Sequence, residues 1–189
     1  MISSLLANYL KLHDESVLRD RIRENLTDWA TDVMTSSGLT PSAHHRFLLG
    51  SLDLVTKGAV KRLMVLMPPG SAKSTYCSVI FPVWWFIQHP RSSVISISHT
   101  TALVGHFSRR IHTLVSENRH RIGFDLKADD RSAHHWRTDA GGEYFAAGIR
   151  GAITGVARTL QLSMIPSNPW GMRKVPGTGN ISGTGLPLS

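Results

Sequence analysis

The stretch Arg62-Leu-Met-Val-Leu-Met-Pro-Pro-Gly-Ser-Ala-Lys-Ser-Thr75 constrains this chain more than any other. Leu63 to Met67 predict a buried parallel strand, Pro68 to Ala72 a turn, and Lys73-Ser-Thr the opening of a helix. Such a turn gathers backbone N–H groups and the positive end of a helix at one point, which suits a polyphosphate. Lys73 would then reach the β- and γ-phosphates of a polyphosphate and Ser74 would hold Mg²⁺, while Pro69, Gly70, Ser71, Ala72 and Thr75 would complete the cradle. Against the full G-x-x-x-x-G-K-[ST] pattern, Met67 replaces the first glycine and Ala72 the second. A Pro-Gly turn before a Ser-capped helix explains the same residues without a ligand. The strand before, the helix after and the hydroxyl directly following the lysine favour a phosphate loop.

Around this loop the hydrophobic period changes twice. Leu5, Leu6, Tyr9, Leu10 and Leu12, then Val17, Leu18, Ile22, Leu26 and Trp29, recur at spacings compatible with one or two amphipathic helices. Ser36 to Pro41 break that pattern, and Ser42 to Val60 resume it with Phe47, Leu48, Leu52, Leu54 and Val55. From residue 61 the expected order is strand 62–67, helix 74–88, strand 93–98 and helix 101–117, so the two strands are predicted to be parallel and joined by a crossover helix. Pro82 is expected to distort the first of these helices and His89-Pro90 to end it. Trp84, Trp85 and Phe86 on that helix read as core filler rather than a base-stacking platform. Gly141-Gly142, between two apolar-bearing runs, signals a hairpin.

Charge and cysteine content narrow the partners. With 21 Lys+Arg against 13 Asp+Glu the net charge is +8, which suits an anionic partner such as nucleic acid, although the basic residues are scattered. Cys77 is the one cysteine, so no internal disulfide or cysteine-based zinc site is expected, and a reducing compartment fits. The pairs His44-His45 and His134-His135 make poor two-ligand units, because adjacent side chains diverge on a helix and alternate faces on a strand. The longest apolar run, Val79 to Ile87, contains Pro82 and is too short for a bilayer, and the start of the chain lacks the pattern of a secretory signal.

Taken together, the phosphate loop, Ser96-Ile-Ser-His-Thr100, Phe107-Ser-Arg-Arg-Ile111 and Gly141-Gly-Glu-Tyr-Phe-Ala-Ala-Gly-Ile-Arg-Gly-Ala-Ile-Thr-Gly155 resemble the ATPase domain of the terminase large subunit of tailed bacteriophages and prophages. That family packages viral DNA. The resemblance covers residues 40 to 156. It implies an α/β fold: an incomplete P-loop NTPase with a parallel sheet core, preceded by an α-helical N-terminal segment. The expected divisions are 1–60 for the helical segment, 61–156 for the partial ATPase domain and 157–189 for a disordered, out-of-frame tail. The family implies ATP and Mg²⁺ as cofactors, double-stranded DNA, a portal and a small terminase subunit as partners, no membrane, and the bacterial cytoplasm as location. Arg109 and Arg110 become candidate sensors of γ-phosphate charge, with a surface or DNA-facing role as their alternative. His44 and His45 fall where such ATPases often contact the base.

The family also implies two acidic residues at the end of a later strand, which hold Mg²⁺ and activate water. No Asp or Glu follows Glu143, and residues 157–189 are rich in Gly and Pro with no strand or helix period recognised. No nuclease domain is visible either. One synonymous encoding of Val156 to Trp170, with a single base restored after codon 156, reads Val-Arg-Ala-Asp-Leu-Ala-Ile-Ile-Asp-Asp-Pro-Ile-Lys-Ser-Met. Most of those codons are free choices, but Met164 followed by Ile165 must contain G-A-T across the boundary in every encoding. The expectation is a frameshifted terminase fragment in which no catalytic site is intact. Two other readings stay open: a basic DNA-binding module whose loop is only a turn, and a small P-loop kinase, for which no acidic base or acceptor-binding segment can be located.

Overall fold

The computed structural model describes residues 2–148 and 159–164. Three helices come first: α1 (Ile2–Glu24), α2 (Leu26–Thr35) and α3 (Ala43–Thr56). Asn25 separates the first two by capping the second, its Oδ1 accepting from the Thr27 and Asp28 amides at 2.8 and 3.3 Å. Helices thus fill most of residues 2–56, with a break at Ser36 to Pro41 where the polar run placed it, and α3 ends four residues before the expected Val60.

After the loop, α4 (Lys73–Thr75) passes through a π-helical turn (Tyr76–Ile80) into α5 (Phe81–Gln88). The expected distortion by Pro82 takes this form. A proline cannot donate to the carbonyl four residues back and its ring crowds that carbonyl, so widening the preceding turn relieves the clash. The Phe81 amide accordingly donates to Tyr76 O. Trp84 and Phe86 are fully buried in the core, as expected of filler, and the half-buried Trp85 lies against His89 with ring centroids 4.3 Å apart.

The rest of the chain builds one mixed sheet. β1 (Ser93–Ser98) leads into α6 (Thr101–Ile122), followed by β2 (Leu126–Arg131), β3 (His135–Thr138), β4 (Glu143–Gly148) and β5 (Thr159–Met164). The strand order is β2-β3-β4-β1-β5; β1 runs parallel to β4 and β5, while β2 and β3 join as an antiparallel meander. The parallel core expected from the sequence is thus three strands of a mixed five-stranded sheet. Gly141-Gly142 forms the expected β3–β4 hairpin: Gly141 has φ +92°, and a Cβ on Gly142 would meet Phe86 Cδ1 at 2.7 Å and Pro90 O at 2.8 Å.

Two expectations are corrected. Residues 62–67 do not form a strand and do not pair with β1. Val65 and Met67 pack on the core while Met64 and Leu66 are 81% and 85% exposed, so the segment has strand-like alternation without a ladder partner. Apolar composition creates the tendency to extend, but hydrogen bonds to a neighbour make the strand, and β4 and β5 occupy both sides of β1. The second correction concerns β5. It lies within 157–189, where no strand was expected, yet Leu160, Leu162 and Met164 alternate with Thr159, Gln161 and Ser163, and Leu160 is buried. The surrounding Gly and Pro masked that short period. Residues 149–158 and 165–189, including most of the Gly148–Gly155 motif and of the expected tail, lie outside the described residues.

Candidate phosphate-loop site

Between the extended segment and α4, the loop closes on itself. Ser71 donates both its amide (3.3 Å) and its hydroxyl (2.7 Å) to Pro68 O. Gly70 takes φ +79° and Ala72 φ +54°. A left-handed conformation costs a non-glycine residue about 1–2 kcal/mol, and Ala72 occupies the position where the motif carries glycine. From Ala72 the chain enters the helix directly, its carbonyl accepting from the Thr75 and Tyr76 amides at 2.9 and 3.2 Å. Lys73 is half-buried, and its Nζ lies 3.4 Å from Met67 O, folded back over the loop. That contact is long, and a phosphate oxygen is a stronger partner for an ammonium than a single carbonyl.

The structure separates the two candidate arginines. Arg110 reaches the loop's exit, with Nη1 and Nη2 each 3.4 Å from Thr75 Oγ1. Arg109 folds back along α6 toward His134, so a Cβ on Gly105 would lie 3.6 Å from its Nη1 and 3.3 Å from the His134 ring. Beside Thr75 and Arg110, a groove of about 270 Å³ runs between α2 and α6, floored by Met34, Val79 and Leu114 and edged by Glu117.

His45, placed near the base by the family resemblance, meets the loop itself, a contact that sequence reasoning did not give it. It sits at the third position of α3, where its Nδ1 accepts the Ser42 amide at 3.1 Å, and its Nε2 lies 3.0 Å from Ser71 O. Its ring stacks on Tyr76 at 4.5 Å and lies 3.9 Å from the His44 ring. With both nitrogens engaged, His45 offers no free polar edge for a base, whereas His44 is exposed. Glu or Gln at this position is the usual capping-box signal, so a histidine three residues after Ser42 passed unread.

The loop offers a turned backbone, a half-buried lysine and a helix start, the groups an anionic ligand would meet there. Ser74 and Thr75 add hydroxyls, but Mg²⁺ at such sites is held by carboxylates as well as phosphate oxygens. Among the described residues no three His, Cys, Asp or Glu side chains come together in a way that could hold a metal. Glu143, the last acid in the sequence, is engaged at the amino end of β4 by His135 Nε2 (2.8 Å) and Arg137 Nε (3.3 Å). Met164, not a carboxylate, stands beside Ser98 at the carboxyl end of the parallel strands. Among the described residues no helix is long and apolar enough to cross a membrane. No family model, curated protein or solved structure matches the chain.

Burial also acts on titratable groups of the π-helical turn and of β4. Burial pushes the Cys77 thiol from its ordinary 9.0 up to about 11, with the Lys73 ammonium acting against the shift. Burial likewise raises Tyr144 from 10.0 to about 12, and raises Tyr76. Groups raised in the folded state bind more protons there than in the unfolded chain, so stability falls as pH rises. The Cys77 contribution is complete below pH 9.0 and lost as pH rises through about 11; that of Tyr144 is complete below 10.0 and lost through about 12. Urea unfolding at about pH 11 should give a stability lower by about 3 kcal/mol than at about pH 8. The fall should shrink in Cys77→Ala, and an unchanged stability at the higher pH would refute the assignment.

Proposed function

We propose that this chain carries the ATP-binding portion of a DNA-packaging motor of the terminase large-subunit type, able to bind nucleotide but not to hydrolyse it. The observation that carries the reading is the left-handed turn at Gly70 and Ala72, which delivers Lys73 to the start of α4, where the chain enters the buried π-helical turn and where Arg110 reaches Thr75. A phosphate loop needs that geometry; a plain Pro-Gly turn does not need a left-handed alanine. On this reading ATP and Mg²⁺ are the ligands, with Ser74 as the protein's metal contact. Double-stranded DNA, a portal and a small terminase subunit are the partners, and the bacterial cytoplasm is the setting.

The sheet supports the frameshift part of the proposal. In the restored frame the Asp-Asp pair begins at position 164, at the carboxyl end of β5, where ligands of open α/β sheets gather. The present β5 leaves Gln161 and Ser163 exposed, whereas Asp-Leu-Ala-Ile-Ile-Asp has the continuous apolar centre of a parallel strand covered on both faces.

Isothermal calorimetry with ATP tests the loop. Lys73→Ala should lower affinity by about 100-fold or more, because a charge-assisted contact is lost with no second cation inside the loop. Ser74→Ala should mainly weaken the Mg²⁺ dependence. Unchanged affinity in Lys73→Ala would overturn the phosphate-loop reading. The alternative of a basic DNA-binding module would then be favoured by salt-sensitive DNA binding indifferent to nucleotide. Several basic groups are paired with carboxylates, including Arg21–Asp28, Lys57–Asp53, Arg119–Asp125 and Arg121–Asp32, which weakens the case for one continuous DNA-binding face.

A further inference from the structure

We propose that His45 is a positioning residue for the phosphate loop: its neutral imidazole, protonated on Nε2, ties the Ser71 carbonyl to the start of α3 and so aims the Ala72 amide into the cradle. This rests on the nucleotide-binding reading above.

The tautomer follows from the partners. A backbone N–H can only donate, so the Ser42 amide at 3.1 Å requires Nδ1 to be a bare acceptor. The ring hydrogen of the neutral imidazole then sits on Nε2, which donates to Ser71 O at 3.0 Å. The remaining freedom of the ring is taken up by Tyr76, stacked at 4.5 Å with 29° between the planes. Tyr76 belongs to the π-helical turn that follows the loop, so His45 touches the loop and the turn behind it together.

A peptide unit is planar and trans, so the Ser71 carbonyl and the Ala72 N–H point in opposite directions. Holding the carbonyl toward α3 therefore fixes the amide toward the other side. The bonds from the Ser71 amide and hydroxyl to Pro68 O close the first half of the loop from within, but they leave the Ser71–Ala72 peptide free to rotate. Ala72 is also the one described non-glycine residue with positive φ. The tie from α3 falls on the peptide that enters this unfavourable conformation.

Two neutral substitutions separate the tie from the helix cap. In His45→Gln the amide can accept the Ser42 N–H, as glutamine does in a capping box, and still donate toward Ser71 O. In His45→Asn the shorter side chain can serve Ser42 but falls short of Ser71. In the full chain, amide exchange at Ser71, Thr75 and Tyr76, whose N–H groups donate to Pro68 O and Ala72 O on either side of the tied peptide, should stay near wild type in the glutamine variant and quicken by about tenfold in the asparagine variant, as expected for one lost hydrogen bond. ATP affinity should follow the same order, with equal helicity in all three proteins. The ¹⁵N spectrum of the wild-type imidazole, which needs no variant to fold, should show hydrogen on Nε2. A ring protonated on Nδ1, or an asparagine variant matching wild type in exchange, overturns the proposal. If wild type binds no ATP while the exchange difference persists, the tie stands and the nucleotide reading falls with its claim on phosphate.

Discussion

With ATP, Mg²⁺ and double-stranded DNA, this chain is expected to release phosphate no faster than a heat-inactivated control. Phosphoryl transfer is achieved by positioning and charge, and a group that orients the attacking water and holds the metal contributes on the order of 10²–10⁴ in rate. The described residues place no carboxylate pair at the carboxyl end of the parallel strands, and Glu143 is held by His135 and Arg137 at the other end. Repairing the coding sequence by one base after codon 156 should place Asp-Asp from position 164 and raise DNA-stimulated turnover by roughly 10³-fold or more. Hydrolysis at motor-like rates by the chain as it stands, or genomic bases that encode no Asp-Asp in the alternative frame, would refute the frameshift.

Replacing Trp136 by alanine should cost about 3–5 kcal/mol, a large share of the stability of a domain of ordinary size. Trp136 is fully buried, stacks on Tyr144 at 4.7 Å and 12°, and donates from Nε1 to Ser108 Oγ at 2.9 Å. Removing the ring leaves a cavity between α6 and the sheet, and it also leaves the buried Ser108 hydroxyl without its donor. Trp136→Phe keeps most of the apolar volume and should cost about 1–2 kcal/mol. Because Ser108 is two residues from Arg110, loosening this joint should also disturb the contact with Thr75. Urea unfolding of both variants measures the costs, and an alanine variant within about 1 kcal/mol of wild type would show that the joint does not anchor α6.

Much of the architecture could be read from local signals. The helices before residue 60, β1, α6 and the Gly141-Gly142 hairpin follow from periodicity, caps and turn residues that act over a few positions. The misses share a cause. Whether residues 62–67 form a strand depends on a ladder partner, and composition carries no information about which partner is present. β5 has the period of a strand, but six residues among glycines and prolines make a weak signal. In the loop, the motif marks Lys73 and Ser74 as candidates by local pattern alone. The choice of Arg110 over Arg109 depends on which side of α6 faces Thr75, and the His45–Ser71 bond joins residues 26 apart through tertiary packing.

The exposed Met64 and Leu66 have a consequence for the fate of the chain in a cell. Proteins blunt open strand edges with lysine, proline or bulges, yet Leu63 to Met67 carry no charge, and neither do the six residues of β5 at the margin of the sheet. Surfaces of this kind are what chaperones hold and proteases sample, so turnover by quality control would set how many copies persist.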